Sequence, residues 1–227
     1  MILLHLLGHG YKEYRDLLYE RILGRPLSKP WMKYREIEII EEILKKLEPI
    51  KCLEWGAGYS TLYFPKILNS NSTWIAIEHE KEWFEKIRMI NRNPNVEIHL
   101  VLPNKYPWSD EYKDGDYSDL KDYIEYPTKF GKFDFILIDG RARKYCIMKA
   151  YELIKDKGVV VLHDANRTYY HEPFRLFNNS LLFTDYREGA GGIWVGSKKL
   201  KLENVIDVER RIKLWKTINK VGRLLKI

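Results

Sequence analysis

The chain has 227 residues, 45% of them hydrophobic and 14% aromatic, which is enough apolar material for one well-cored domain and excludes a disordered polypeptide. The formal charge of +7 is compatible with an anionic partner, but 31% of the residues are charged and both signs are represented, so charge alone does not select nucleic acid. Two cysteines, Cys52 and Cys146, lie in apolar settings without paired spacing, which argues against a disulfide framework or a zinc site and points to a reducing, cytoplasmic compartment.

In chain order, residues 1–7 are apolar but too short to span a bilayer, and they lack the basic segment and cleavage site of a secretory leader. They read as a packing terminus. Residues 11–23 alternate apolar and charged groups at helical spacing and stop at Gly24-Arg25-Pro26. A second helix is predicted over Tyr34–Leu47, with Ile37, Ile40, Ile43, Leu44 and Leu47 as its buried stripe and Pro49 beyond its end. Strand and helix signals then alternate: strands over 52–55, 74–77, 96–102, 133–138 and 158–162, with helices over 60–68, 80–90 and 143–155 between them. Such alternation predicts an α/β domain with a parallel sheet covered on both faces. Residues 103–132 form a long Tyr-, Asp-, Lys- and Pro-rich insertion that reads as a lid or cofactor-covering segment, or else as a solvated loop with packed aromatics, with a short helix over 118–125. Two further strands, 181–187 and 192–196, flank Glu188-Gly189-Ala190-Gly191 as a hairpin. From Glu203 onward one amphipathic helix is expected. Val205, Val208, Ile212, Trp215 and Ile218 lie on one side of it, and Arg210, Lys213, Lys216, Lys220 and Arg223 on the other.

The chemistry concentrates where strands end, because ligands of open α/β sheets bind outside the carboxyl ends of the strands. The first strand runs into Glu54-Trp55-Gly56-Ala57-Gly58-Tyr59-Ser60-Thr61, and the second ends in Glu78, an acid suited to accept two ribose hydroxyls. A dinucleotide turn carries a third glycine, so that a pyrophosphate can sit on the helix N-terminus. That glycine is missing here, and Glu54 would repel a pyrophosphate while suiting the amino group of a methionine-type ligand. Ser60 and Thr61 also have a simpler role as caps of the following helix.

This segment resembles the glycine-rich motif of the class I S-adenosylmethionine-dependent methyltransferases in its E-x-G-x-G-x-S-T form. The later strand ends, Asp139-Gly140-Arg141-Ala142-Arg143 and His163-Asp164-Ala165-Asn166-Arg167, resemble a less characterised group of that superfamily with D-G-R-x-R and H-D motifs. Trp31, Glu36 and the run from Ile77 to Trp83 extend the match, which covers residues 30–196. The resemblance implies a Rossmann-like class I methyltransferase fold, with a mostly parallel central sheet, a C-terminal antiparallel hairpin and helices on both faces. It divides the chain into a helical lead-in (1–48), an S-adenosylmethionine-binding domain (49–198) and a basic C-terminal helix (199–227). It implies cofactor contacts from Glu54, Gly56, Ala57, Gly58, Ser60 and Thr61, and from Glu78, His79 and Asp139 at later strand ends.

Asp139 and Asp164 end neighbouring strands and can converge on an acceptor hydroxyl, whose proton must leave during an in-line methyl transfer. With His163 or Asn166 they resemble the ligands of metal-dependent O-methyltransferases, where Mg²⁺ lowers the hydroxyl pKa, although Ala165 interrupts the usual acid-acid or acid-Asn pair. Alternatively His163 or His171 serves as a direct base. Arg141, Arg143 and Arg167 around the same mouth suit an anionic acceptor such as a uronic acid or a phosphate-linked glycan, and Arg141 could equally brace its own loop. The leading expectation is O-methylation of a sugar, glycan or small polar hydroxyl compound. An RNA methyltransferase and a non-catalytic module binding cofactor or an anionic surface are the alternatives. The C-terminal helix is expected either to pack on the domain or a second subunit, or to lie on the inner membrane face near a lipid-linked acceptor.

Overall fold

The structure, a computed structural model, describes residues 11, 12, 15, 16, 29–108, 110–187 and 189–225. The segment 1–7 and most of the helix expected over 11–23 lie outside these residues.

The first helix past the lead-in, α1 (Tyr34–Leu47), starts where Glu36 turns back to accept the Lys33 backbone N–H at 2.8 Å. Its stripe is buried at Ile37, Ile40, Ile43 and Leu44, with Ile39 added and Leu47 only partly covered. The sheet strands are β1 (Lys51–Trp55), β2 (Thr73–Glu78), β3 (Val96–Leu100), β4 (Phe133–Ile138), β5 (Ile154–His163), β6 (Asn179–Phe183) and β7 (Ile193–Ser197). Helices α2 (Tyr59–Tyr63), α3 (Lys81–Ile90), α4 (Lys121–Glu125) and α5 (Arg143–Leu153) connect them. The helix expected over 60–68 tightens into a 3₁₀ turn at Phe64–Ile67, because Pro65 lacks the N–H an α-helix needs. Within the insertion only Lys121–Glu125 is α-helical, followed by a 3₁₀ turn at Tyr126–Phe130.

Strand order is β3-β2-β1-β4-β5-β7-β6, parallel as far as β5, with β7 antiparallel to both β5 and β6. The chain reverses its direction of travel across the sheet between β1 and β4, which opens a crevice at their carboxyl ends. Register places Trp55 beside both Ile77 and Ile138, and Ile138 beside Leu162. Gly56, Glu78, Asp139 and His163 therefore emerge at one edge of the sheet. Apolar layers cover both faces: Ile40, Ile43, Phe64, Trp74 and Phe135 on one, Trp55, Tyr123, Ile147 and Trp194 on the other.

The last helix, α6 (Val208–Leu225), begins later than expected because Asp207 caps it, accepting the Arg210 N–H at 3.2 Å. Its apolar side packs on the domain. Trp215 is buried against Phe183, donates to the Thr184 carbonyl at 2.8 Å and carries the Arg35 guanidinium over its ring at 4.4 Å. Arg211 pairs with Glu38 and Glu42 of α1, each at 2.9 Å. Among the described residues no helix is long and apolar enough to cross a membrane.

Candidate active site

The glycine turn is held by backbone. Gly56 adopts φ +94°, donates its N–H to Ile77 at 2.9 Å and lies against the β4 turn, so an added Cβ would come within 2.6 Å of Gly140 Cα. The Asp139 N–H in turn donates to the Trp55 carbonyl at 2.8 Å. Gly58 differs. Its backbone is extended, and a Cβ there would meet no protein atom closer than 3.7 Å, so the fold itself leaves that position open towards the cavity.

The glutamates at the ends of β1 and β2 have separate fates. Glu54 is fully buried and accepts from Ser60 at 2.5 Å, Thr61 at 2.6 Å and the Trp74 indole at 2.8 Å. Burial pushes its carboxyl up to about 7 against these hydrogen bonds. The expected ligand contact is therefore corrected for Glu54 and Thr61. They turn inward and brace the glycine turn, while Ser60, Ala57 and Gly58 line the cavity. Glu78 keeps one oxygen for the site. Its Oε1 accepts the backbone N–H groups of His79 and Glu80, each at 2.8 Å, and Oε2 takes no hydrogen bond among the described residues. His79 Nδ1 lies 2.9 Å from Glu78 Oε1 but is too poorly aligned to donate to it. Its ring packs against Trp108 and Tyr123.

At the ends of β4 and β5 the side chains form a relay. His163 is buried with Nδ1 2.9 Å from Asp139 Oδ1 and Nε2 3.3 Å from Glu36 Oε2. Burial alone would lower its pKa, but the two carboxylates outweigh it and raise it to about 10. The two carboxylates favour the imidazolium, which has no lone pair to offer a hydroxyl, and so count against His163 as the base. Glu36 also accepts the Gly192 N–H at 3.0 Å, tying α1 to the start of β7. Asp164, at φ +58°, accepts the Gly191 N–H at 2.8 Å. Burial opposes its ionisation, yet the neighbouring His163 and Arg143 cations hold its pKa below the ordinary carboxylate value.

Three further candidate residues are already engaged within the fold. Arg143 is buried, donating to the carbonyls of Gly140 at 2.8 Å and His163 at 2.7 Å and lying 3.4 Å from Asp139, so it braces two loops while also lining the cavity. The Asn166 amide is fully engaged, donating to the carbonyls of Asp185, Arg187 and Ala190 and accepting the Asp185 N–H at 2.8 Å. His171 lies outside the strand-end cavity, its Nε2 donating to the Ala165 carbonyl at 2.7 Å. The expected Mg²⁺ set of Asp139, Asp164 and Asn166 does not fit a divalent cation, because the carboxylates already face His163, Arg143 and Arg167. Among the described residues no cluster of three His, Cys, Asp or Glu side chains is arranged as a metal site.

A cavity of about 540 Å³ lies over these strand ends, bounded by the glycine turn, Glu78, His79, Asp139, His163 and Asp164. Trp31, Tyr59 and Trp83 form its aromatic rim, with ring centroids 5.4–6.0 Å apart, and Trp83 donates to the Ala57 carbonyl at 2.5 Å. Nothing local in the sequence marks these three rings as a rim, because they come from three separate segments of the chain. Arg141 and Arg167 form a wall shared with a second cavity of about 870 Å³, which His171 also lines. Arg167 is partly engaged, donating to Gly189 at 3.1 Å and lying 3.4 Å from Asp164. Arg141 makes no ion pair among the described residues and rests over the Trp108 ring at 5.6 Å.

No family model and no curated protein matches this chain. Solved structures do. An O-methyltransferase from Bacillus cereus in complex with SAH superposes with a TM-score of 0.56 at 16% identity, over 82% of this chain and 90% of its own. The fold is that of the class I methyltransferases. The O-methyltransferase TomG from Streptomyces achromogenes, involved in tomaymycin synthesis and complexed with SAM, gives 0.50 at 15% identity, over 79% and 86% of the two chains. A spermidine synthase from Thermotoga maritima gives 0.52 at 17% identity, over 76% of this chain and 61% of its own. Enzymes of different names thus share the architecture, and the activity must be argued from the site.

Proposed function

We propose that this chain is an S-adenosylmethionine-dependent methyltransferase that methylates a hydroxyl of a sugar, glycan or small polar compound. The observation that carries the reading is the pairing of an open Gly58 backbone with a buried Glu78 that keeps Oε2 for a ligand, at one end of the same cavity. A sulfonium cofactor fits this chemistry: the bare turn accepts its methionine half and the carboxylate its ribose hydroxyls. When bound, that cofactor supplies an electrophilic methyl group. The chain's own part is to align an acceptor hydroxyl and take its proton. Asp139 is the candidate for this proton, because its Oδ2 takes no hydrogen bond among the described residues while His163 already carries one proton and steadies Oδ1. Asp164 and Arg143 complete the charge balance around it.

Calorimetry with S-adenosylmethionine and its demethylated product tests the proposal. Both should bind, and Glu78→Ala should weaken both by about 1.5–3 kcal/mol, the range for a hydrogen bond to a charged group. Unchanged affinity in the variant, or tight NAD binding by the wild type, overturns it. Asp139→Asn should abolish turnover while leaving binding of the demethylated product nearly intact.

A further inference from the structure

We infer that the acceptor is an oligoanionic sugar compound, lying along a row of adjoining cavities that runs from the strand ends to the basic face of α6; this rests on the methyltransferase reading above. The 870 Å³ cavity is joined to the 540 Å³ cavity through Arg141 and Arg167, and to a third cleft of about 380 Å³ through Arg223. Each is of a size that holds a small ligand or one unit of a chain, given that such pockets run from about 300 to 1,000 Å³. Together they form a row of adjoining cavities that share Arg141, Arg167 and Arg223 as lining residues.

Carboxylates line the first cavity at the strand ends, and beyond it the charge becomes basic. Lys113, Arg187 and Arg223 join the shared arginines in the second cavity, and Lys216 and Lys220 continue the series in the third. The acid among the described lining residues of the second and third cavities, Asp185, is buried and already bound by Lys33, Arg35 and Arg187. Arg141, Arg223, Lys216 and Lys220 have no carboxylate partner among the described residues. Repeated phosphate or carboxylate groups are the ligand chemistry that pairs with spaced guanidinium and ammonium groups.

Tyr112 and Tyr169 stack on each other at 3.7 Å and 9°, and Tyr169 also packs on Tyr170 at 4.3 Å. The half-exposed Tyr112 leaves ring surface for a ligand, as does the more exposed Trp31 on the rim of the first cavity.

The test is calorimetry of the full chain saturated with the demethylated cofactor, using trigalacturonate, inorganic tripolyphosphate and a single-stranded RNA octamer as probes. At least one of the first two should bind, more weakly as salt rises. The Arg187→Ala/Arg223→Ala double variant should lose at least tenfold in that affinity while cofactor-product affinity and thermal unfolding stay unchanged. Arg141→Gln, at the shared wall, should give a comparable loss on its own. Whichever of the carboxylate and phosphate probes binds more tightly identifies the anion. Absence of binding by both, binding indifferent to these substitutions, or tighter binding of the RNA overturns the inference while leaving the cofactor reading intact. A wild type that fails to bind the demethylated cofactor removes the methyltransferase reading, and this inference with it.

Discussion

At the strand ends the cavity wall is largely backbone and buried side chains locked to one another, with Gly56 packed on Gly140 and His163 held between Asp139 and Glu36. In the adjoining cavity the wall is mainly side chains on turns and on α6, and Arg187 and Arg223 project from the surface. The first arrangement couples recognition to folding, since each group there also closes a hydrogen bond the fold requires. The second can change without disturbing the core. The two cavities are therefore under different physical constraints in one molecule.

That contrast makes the size of each mutational effect predictable. The largest is expected for Gly56→Ala, which must place a Cβ against the Gly140 backbone at positive φ. Strain and overpacking together should cost about 3 kcal/mol in urea unfolding and remove binding of the demethylated cofactor. If the variant is as stable as the wild type, the turn is not locked. Glu36→Ala follows, because it leaves the Lys33 and Gly192 N–H groups and the His163 imidazolium without their acceptor. About 2 kcal/mol of stability should be lost, and NMR titration should find the His163 pKa lowered from about 10.

The pH dependence sharpens the same point. His163 has a folded pKa above its ordinary value, so its contribution to stability is complete below about 6.5 and is lost as pH rises towards about 10. Unfolding measured between pH 7 and 10 should show declining stability in the wild type and a shallower decline in His163→Gln. Equal slopes would mean that the relay does not hold the proton. The smallest effect belongs to the basic cavity: Arg187→Ala should alter stability by no more than about 0.5 kcal/mol, since Asp185 keeps Lys33 and Arg35. A larger loss would join the two cavities into one structural unit and weaken the contrast.

Much of the architecture was readable in advance because it depends on local periodicity. The helix Tyr34–Leu47 and the strand Phe133–Ile138 fall at their expected bounds, and the terminal antiparallel pair is present, although β6 ends at Phe183 and its connection is longer than a tight hairpin. Helix ends shifted where one residue intervened, as Pro65 does in the helix after the glycine turn and Asp207 before α6. The amphipathic pattern of α6 was visible too, but a stripe does not say what covers it. In the folded chain it meets Phe183, Thr184 and the Arg35 side chain.

By itself, then, the amino-acid order determined the alternation of strands and helices, the form of the glycine turn and the acids that terminate β2, β4 and β5. It did so because each of these is written in residues close together in the chain. Tertiary structure alone decided which acids remain available to a ligand. Glu54 and Glu78 look alike in sequence, yet Trp74, Ser60 and Thr61 surround the first, while two backbone N–H groups hold only one oxygen of the second. It also decided that Glu36 would meet His163 and the Gly192 N–H, 156 residues away, setting two carboxylates against the imidazole ring. Hydrogen bonding and ionisation depend on distances of a few ångströms between groups far apart in sequence, and only the packing of α1 across the sheet brings these groups together.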